Sequence, residues 1–459
     1  MFREEDFIIG KSGKSVFGIP AVGDLIISIE ANDKDCAINL PFVMRSDSGL
    51  DEKKFEVAIN RVIRENDALR AVAYMGEKGE GASFFSGVFN TGKDFTSGCK
   101  VRFLKEYTYR LEPVEVDGEY EECRSKVLSM INASIRKRMD IENDVPFRID
   151  VYKSSRDSSK YWLAFYVNHY VCDPSTLAMM IKAIFGYYFN EDMQQVFGAG
   201  SSFMEYLEEI SDESADSRSR ELAEFWEKEY EGYQPVVLSR RETKDLTGLP
   251  KEIVFSRDIL ASLAEKNSTS IFNVVLFLYH MAYRIIFSTN DSSVAFAVNG
   301  RKEKQYVTTL GCFIQVVNSR LITGDSESVA DVIKRLRKNV STASSKSSPV
   351  MEYKSPFIIS YQEVKDLGTD KMPFEPEVVD TSYLAAPGIA FTVSEGSDFV
   401  VSGAVIDTNY YSGKNVKAIA DLIIAVQDKL GEMEGDPTVG ELLSGMKLNE
   451  DADFEVIDI

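Results

Sequence analysis

Apolar side chains at Phe55, Ala58, Ile59, Val62 and Ile63 recur at three- and four-residue spacing, which gathers them on one face of a helix. The spacing predicts a helix over 52–66, with Asp51 in front as its N-cap. A further helix is expected over 119–138, followed by strands at 147–152 and 160–167. The second of these strands reads YWLAFYV and has no polar face, the pattern of a strand covered on both sides by protein. Turn-like residues NHYVCDP come next, then a helix whose Leu177, Met180, Ile181, Ile184, Phe185 and Tyr188 form a broad apolar stripe suited to a sheet.

Farther along, 271–287 is apolar almost all round and predicts a helix enclosed by protein. Strands are expected at 293–298, 312–321, 356–362, 389–394 and 399–408, and a last amphipathic helix over 415–430, closed by Gly431 as its C-cap. Between these two mixed halves, 198–234 turns to Ser, Glu and Asp with few apolar anchors, namely Tyr206, Leu207, Leu222, Phe225 and Trp226. No period of the solenoid kind is present. The expected organisation is therefore a first α/β lobe at 1–195, a charged helical connection at 196–235 and a second α/β lobe at 236–459.

Composition sharpens this picture. With 44% hydrophobic and 11% aromatic residues among 459, the chain can fold by burial, which excludes disordered, collagen-like and coiled-coil classes. A net charge of −21 gives a field that repels phosphate backbones and anionic bilayers, so neither nucleic acid nor membrane is expected as a partner. The five cysteines, Cys36, Cys99, Cys123, Cys172 and Cys312, are odd in number and contain no Cys-x-x-Cys pair. That argues against a disulfide framework or a zinc site and fits a reducing cytoplasm. The start lacks the apolar core of a secretory signal. Its doubled Gly-Lys-Ser, at 10–15, is no phosphate loop, because Glu5 and Ile8 stand where the leading glycine is required.

Histidine is the natural base near neutral pH, and the chain has two, His169 and His280. His280 falls inside the apolar helix and reads as a satisfied core residue. His169 lies at the mouth of the buried strand, four residues before Asp173 and ahead of a helix, where α/β folds place reactive groups. Asp173-Pro174 also has a purely local reading, as N-cap and first helical residue. Cys172 reads as a small buried hydrophobe rather than a nucleophile.

The segment Asn168-His169-Tyr170-Val171-Cys172-Asp173-Pro174 resembles the His-His-x-x-x-Asp-Gly motif of condensation domains from nonribosomal peptide synthetases. Other matches follow in the family's order. Arg64-Glu65-Asn66-Asp67-Ala68-Leu69-Arg70 is similar to its Arg-His-Glu-x-Leu-Arg segment, and Asn299-Gly300-Arg301 to its Gly-Arg turn. Residues 311–320, beginning Gly311-Cys312-Phe313-Ile314-Gln315, resemble its Gly-x-Phe-Val-Asn-Thr strand, with Ser360-Tyr361-Gln362 and 407–411 in later places.

The resemblance implies an α/β (α+β) fold of two chloramphenicol-acetyltransferase-like lobes forming a V-shaped pseudo-dimer with a tunnel active site between them. It implies amide-bond formation between an acyl or aminoacyl thioester on a carrier protein and an acceptor amine. The substrates arrive on phosphopantetheine arms, with no metal or bound cofactor. His169 would take or orient the amine proton. Asp173 would be structural, paired with an arginine, Arg301 as first choice and Arg70 as second. Asn168 would support the loop, and Pro174, Ser175, Gln315, Ser360 and Gln362 are expected along the tunnel. A cytoplasmic monomer is expected, partnered by acyl or peptidyl carrier proteins. It would be either free-standing or excised from a larger synthetase, since no adenylation or carrier pattern precedes residue 459.

The sequence also departs from the pattern. Asn168 replaces the first histidine, Pro174 the glycine, and Gln315-Val316 the Asn-Thr pair. These departures keep open a catalytically silent platform that docks carrier proteins or tailoring enzymes, and an ester-forming or epimerizing relative. Cyclization domains carry Asp-x-x-x-x-Asp in this place, and retention of His169 argues against that branch.

Overall fold

The computed structural model describes residues 2–32, 37–75, 99–191, 193, 200–213, 217–236, 238–239, 241, 245–348, 355–363, 374–377, 379, 388–448 and 454. Cys36 and the expected boundary at 195/196 lie outside them. In chain order the first half carries β1 (Phe17–Gly18), α1 (Ala21–Asn32), β2 (Asn39–Ser46), α2 (Glu52–Glu65), β3 (Ala71–Met75), β4 (Cys99–Phe103), β5 (Val114–Val116), α3 (Tyr120–Ile135), β6 (Phe147–Ser154), β7 (Tyr161–Asn168) and α4 (Pro174–Tyr188). Helices α5 (Phe203–Glu213) and α6 (Ser217–Glu229) follow. The second half carries β8 (Ile253–Phe255), α7 (Arg257–Lys266), α8 (Ile271–Ile286), β9 (Asp291–Asn299), β10 (Ile314–Ile322), α9 (Val329–Ser345), β11 (Phe357–Glu363), β12 (Phe374–Pro376), β13 (Ile389–Glu395), β14 (Val400–Ile406), α10 (Gly413–Glu432) and α11 (Val439–Leu443).

Strand β7 is the centre of the first lobe. It lies between β2 and β6 in a sheet ordered β12-β2-β7-β6-β5, and all eight of its residues are buried. Phe165 meets Phe55 of α2 and Trp162 meets Tyr120 of α3. Residues three apart in a strand point to opposite faces, so α2 and α3 cover the two sides and the strand needs no polar face. A short sheet, β1-β4-β3, completes this half. The second lobe has one sheet, β10-β9-β11-β13-β14-β8, and α8 is buried against it nearly throughout. Ser270 caps α8 and Asp51 caps α2, each accepting the N–H three residues on.

The two halves are less separate than 1–195 and 236–459 imply. Phe203, Tyr206, Leu207 and Ile210 of α5 belong to the first core, whereas Trp226 of α6 packs against the second. The connection is therefore divided between the lobes. Beyond residue 236, Tyr306, Leu310, Phe313 and Phe374 also sit in the first core. Strand β12 joins the first sheet through β2, and Phe374 packs against Phe185 with ring centres 4.6 Å apart. Glu375 pairs with Arg45, and Glu377 with Arg124 at 2.7 Å, tying the crossing strand down. The last long helix also differs from expectation: α10 runs through Gly431 to Glu432. A Cβ on Gly431 would come within 3.0 Å of Ile259, so the glycine serves close helix packing and is not a C-cap.

Candidate active site at the lobe junction

β7 ends at Asn168, α4 begins at Pro174, and the turn between them carries His169. The His169 N–H donates to the Ile38 carbonyl at 3.0 Å, which sets the ring at the strand's mouth. His169 is half-buried, and its Nδ1 is enclosed with no partner at hydrogen-bonding geometry. Burial holds its pKa below the ordinary value, against the opposing pull of its own carbonyl, the Asp173 carboxylate and the Cys172 carbonyl. The imidazole is thus neutral near pH 7. Burial pushes the neighbouring Cys172 thiol well up, which leaves it protonated and inert.

Asp173 performs both tasks that its sequence context allowed. Oδ1 accepts the Thr176 N–H at 2.8 Å and caps α4. Oδ2 accepts Arg301 Nη1 at 2.7 Å and the Phe313 N–H at 2.9 Å. Both partners of the ion pair are dry, with side chains 3% and 4% exposed. The Arg301 guanidinium also donates to Thr176 Oγ1 at 2.6 Å and to the Gly311 carbonyl at 3.0 Å, and lies over the Phe313 ring at 4.4 Å. Thr176 Oγ1 in turn donates to the Gly311 carbonyl at 2.6 Å. The first turn of α4 and the β9–β10 connection are thereby one hydrogen-bonded unit across the lobes. Two glycines make the approach possible. A Cβ on Gly300 would lie 2.1 Å from the Phe313 carbonyl, and Gly311, at φ +154°, would meet Phe203 at 2.2 Å.

Arg70, the second candidate partner, is elsewhere. It donates to the carbonyls of Ile63, Arg64 and Leu104 and so closes the C-terminal end of α2. Its neighbour Asp67 accepts the N–H groups of Phe203 and Met204 at the start of α5, at 3.0 and 2.9 Å. This segment joins elements of the first lobe and takes no part in the junction.

Beside the clasp lies a cleft of about 120 Å³ bordered by Pro174, Ser175, Asn299, Ile314, Ser360 and Gln362, among others. Pro174, Ser175, Ser360 and Gln362 line it, and His169 is not among its lining residues. Nor does Gln315 line it. It is 4% exposed and packs behind Gly300, because alternate residues of β10 face opposite ways and Ile314 takes the open side. His280 is also away from the cleft, fully buried with Nδ1 2.8 Å from Ser292 Oγ and Nε2 3.3 Å from Ser319 Oγ. Burial lowers its pKa to about 3. Among the described residues no group of three or more side chains is arranged to hold a metal ion.

Three participants escaped the sequence reading: Thr176, Phe313 as a backbone donor, and Glu30. Asn168 Nδ2 donates to Glu30 Oε1 at 3.0 Å, and the Tyr170 N–H donates to Asn168 Oδ1 at 3.2 Å. Only Glu30 left a signal, as the lone charge in the run Leu25-Ile26-Ile27-Ser28-Ile29-Glu30-Ala31.

Comparisons with known proteins find the same fold. Surfactin synthase subunit 1 of Bacillus subtilis (strain 168) is 21% identical over 316 residues, covering 67% of this chain and 8% of that protein. The chain thus spans less than a tenth of the length of that relative. Among solved structures, the complex of the X-domain and OxyB from teicoplanin biosynthesis superposes with a TM-score of 0.72 at 14% identity, covering 96% of this chain and 98% of the other. The first condensation domain of the calcium-dependent antibiotic synthetase, in complex with a substrate analogue, gives 0.67 at 12% identity, covering 93% and 99%. The mixed α/β architecture is shared over nearly the whole chain. The family described as Condensation domain matches residues 96–354, which include the His169 turn, the Asp173–Arg301 clasp and the glycines that admit it, and the chain belongs to that family.

Proposed function

We propose that the protein is a condensation-type acyltransferase of nonribosomal peptide synthesis, which passes an acyl or aminoacyl group from a carrier-protein thioester to an acceptor amine. The observation that carries this reading is a histidine on a turn pinned across both lobes by Asp173 and Arg301, where burial holds the imidazole below its ordinary pKa. A neutral imidazole accepts a proton from the attacking amine as the C–N bond forms, and the thiolate leaves with the phosphopantetheine arm. The thioester is already activated, so His169 supplies the proton transfer and orientation while the clasp keeps its turn from moving.

A second reading is favoured by two specific features. Pro174 has no N–H to offer a substrate at the start of α4, and the cleft of about 120 Å³ among the described residues is smaller than the ~300–1,000 Å³ of ordinary small-molecule sites. On this reading the fold is a docking platform, for carrier proteins or for a tailoring enzyme like the one bound by the similar X-domain. Incubation with aminoacyl-loaded carrier proteins and a panel of amino-acid amides, read by mass spectrometry of the amide product, separates the two. Amide formation supports transfer. Saturable carrier binding without product supports the platform.

A further inference from the structure

The His169 turn rests on a buried carboxylate that the reaction itself does not call for. Glu30 is 0% exposed. Its Oε1 accepts the Ile38 N–H at 2.6 Å and Asn168 Nδ2 at 3.0 Å, and its Oε2 lies 3.3 Å from the same amide nitrogen. Both groups it holds flank His169 in space. Ile38 gives its carbonyl to the His169 N–H, while Asn168 precedes His169 and gives Oδ1 to the Tyr170 N–H that follows it. The peptide units on both sides of the histidine are thus fixed through a single carboxylate on α1. This arrangement also fixes which way the Asn168 amide points: its nitrogen faces an acceptor and its oxygen a backbone donor.

A buried carboxylate is costly to keep unless its partners are good. Burial holds the Glu30 carboxyl above the usual range, opposed by the Ile38 N–H, the Asn168 amide and the more distant Arg138 guanidinium. The Tyr170 hydroxyl, the other titratable group that feels Glu30, donates instead to the Ala71 carbonyl at 3.1 Å. A leucine would fill the space at less cost, so retaining the acid calls for a reason in what it positions.

We infer that Glu30 is the positioning residue of the His169 turn, acting through the Asn168 side chain and the Ile38 peptide. Asn168 stands where the family's motif has a histidine, so this chain supports its base with a carboxylate–amide couple. The inference rests on the acyltransferase reading for its consequence in catalysis, but its geometric core is independent of that reading. Oε1 takes the Ile38 N–H and shares the Asn168 amide with Oε2, so a glutamine oxygen in the Oε1 place keeps the two shorter bonds and gives up the longer one at Oε2. Shape and acceptor, not charge, are what the site requires.

The test uses the full chain with 13C-labelled histidine rings, where two histidines give two resonances, and His280 is the internal reference. Asn168→Ala and Glu30→Leu are each expected to shift or broaden the His169 resonance, leave His280 in place, and lower kcat by up to ~10²-fold with little change in KM, the scale for a misplaced reacting group. Glu30→Gln, which loses only the contact at Oε2, should stay closer to the parental spectrum than Glu30→Leu. In the reciprocal pair Glu30→Gln with Asn168→Asp, the glutamine oxygen keeps the Ile38 N–H while its nitrogen, in the Oε2 place 3.3 Å from the residue-168 side chain, donates to the new carboxylate, and this should rescue the spectrum that Asn168→Asp alone disrupts by setting two carboxylates together. If Glu30→Leu does not fold, Asn168→Ala and the reciprocal pair still decide the matter. A parental His169 resonance in Asn168→Ala, or no rescue in the reciprocal pair, overturns the inference. Absence of transfer by the parent chain would instead count against the acyltransferase reading and leave the spectral result to stand by itself.

Discussion

Removing the charge of Asp173 while keeping its shape is expected to cost almost as much as removing the side chain. The carboxylate receives three donors, the Thr176 N–H on one oxygen and Arg301 with the Phe313 N–H on the other. In Asp173→Asn one oxygen becomes an amide nitrogen, so donors face donors on one side whichever way the amide turns. If it keeps the cap, a guanidinium only 3% exposed loses its counter-charge, and breaking such a buried pair costs ~3–5 kcal/mol. Arg301 retains Thr176 Oγ1 and the Gly311 carbonyl, which places the expectation near the lower bound, about 3 kcal/mol for Asn and slightly more for Ala. Were Asp173 a cap alone, Asn would be nearly neutral and Ala would cost ~0.5–2 kcal/mol. Urea unfolding in a Trp226→Phe background reads this directly, since Trp162 in the core of the first lobe is then the sole indole. In the cycle with Arg301→Ala, the double variant should be less destabilised than the sum of the singles, by ~0.5–3 kcal/mol. A parental midpoint for Asp173→Asn, together with additivity in the cycle, would refute the argument.

Other outcomes follow from the same geometry. Gly300→Ala would set a methyl 2.1 Å from the Phe313 carbonyl and should destabilise by more than ~2 kcal/mol while uncoupling the clasp; a melt within error of the parent would show that the β9–β10 connection yields. His280 and His169 are both held below their ordinary pKa of 6.5. The unfolded chain therefore takes up protons that the folded chain refuses, and the stability they contribute is whole above pH 6.5 and is lost as pH falls towards their lowered values. His280→Gln should flatten the acid side of the stability–pH curve measured by urea midpoints, and an unchanged slope would contradict that assignment. Transfer itself should be flat around neutrality and fall only on the acid side, as His169 takes up its proton.

Local patterns were legible where one residue's neighbours in sequence were also its neighbours in space. The unbroken apolar run of β7 announced a strand covered on both faces, Asp51 announced a cap, and His280 on a helix apolar almost all round announced a core histidine. The choice between Arg301 and Arg70 was not decided by spacing, since Arg301 arrives from the other lobe, and the family resemblance ranked it first. Gln315 lies off the cleft because strand parity, invisible until the register of β10 against β9 is fixed, turns it inward. Gly431 was misread as a stop because the tight approach of Ile259 is a tertiary fact. Strand β12 crosses to the first sheet with three residues, too few for any periodicity to register. Glu30 carried a visible sign, the lone charge in the apolar run 25–31, but its partner lay 138 positions away.

The role proposed for His169, held by the clasp, is to take the amine proton as the amide forms. Its most direct test is the single-turnover rate of amide formation from an aminoacyl-loaded carrier protein, parent against His169→Ala, with the thermal midpoint of each recorded alongside. Product is expected with the parent, with a loss of ~10²- to 10⁴-fold in the variant and midpoints nearly equal, because a half-buried side chain at a strand's mouth contributes little to the core. Equal rates in the two proteins at equal midpoints would contradict it.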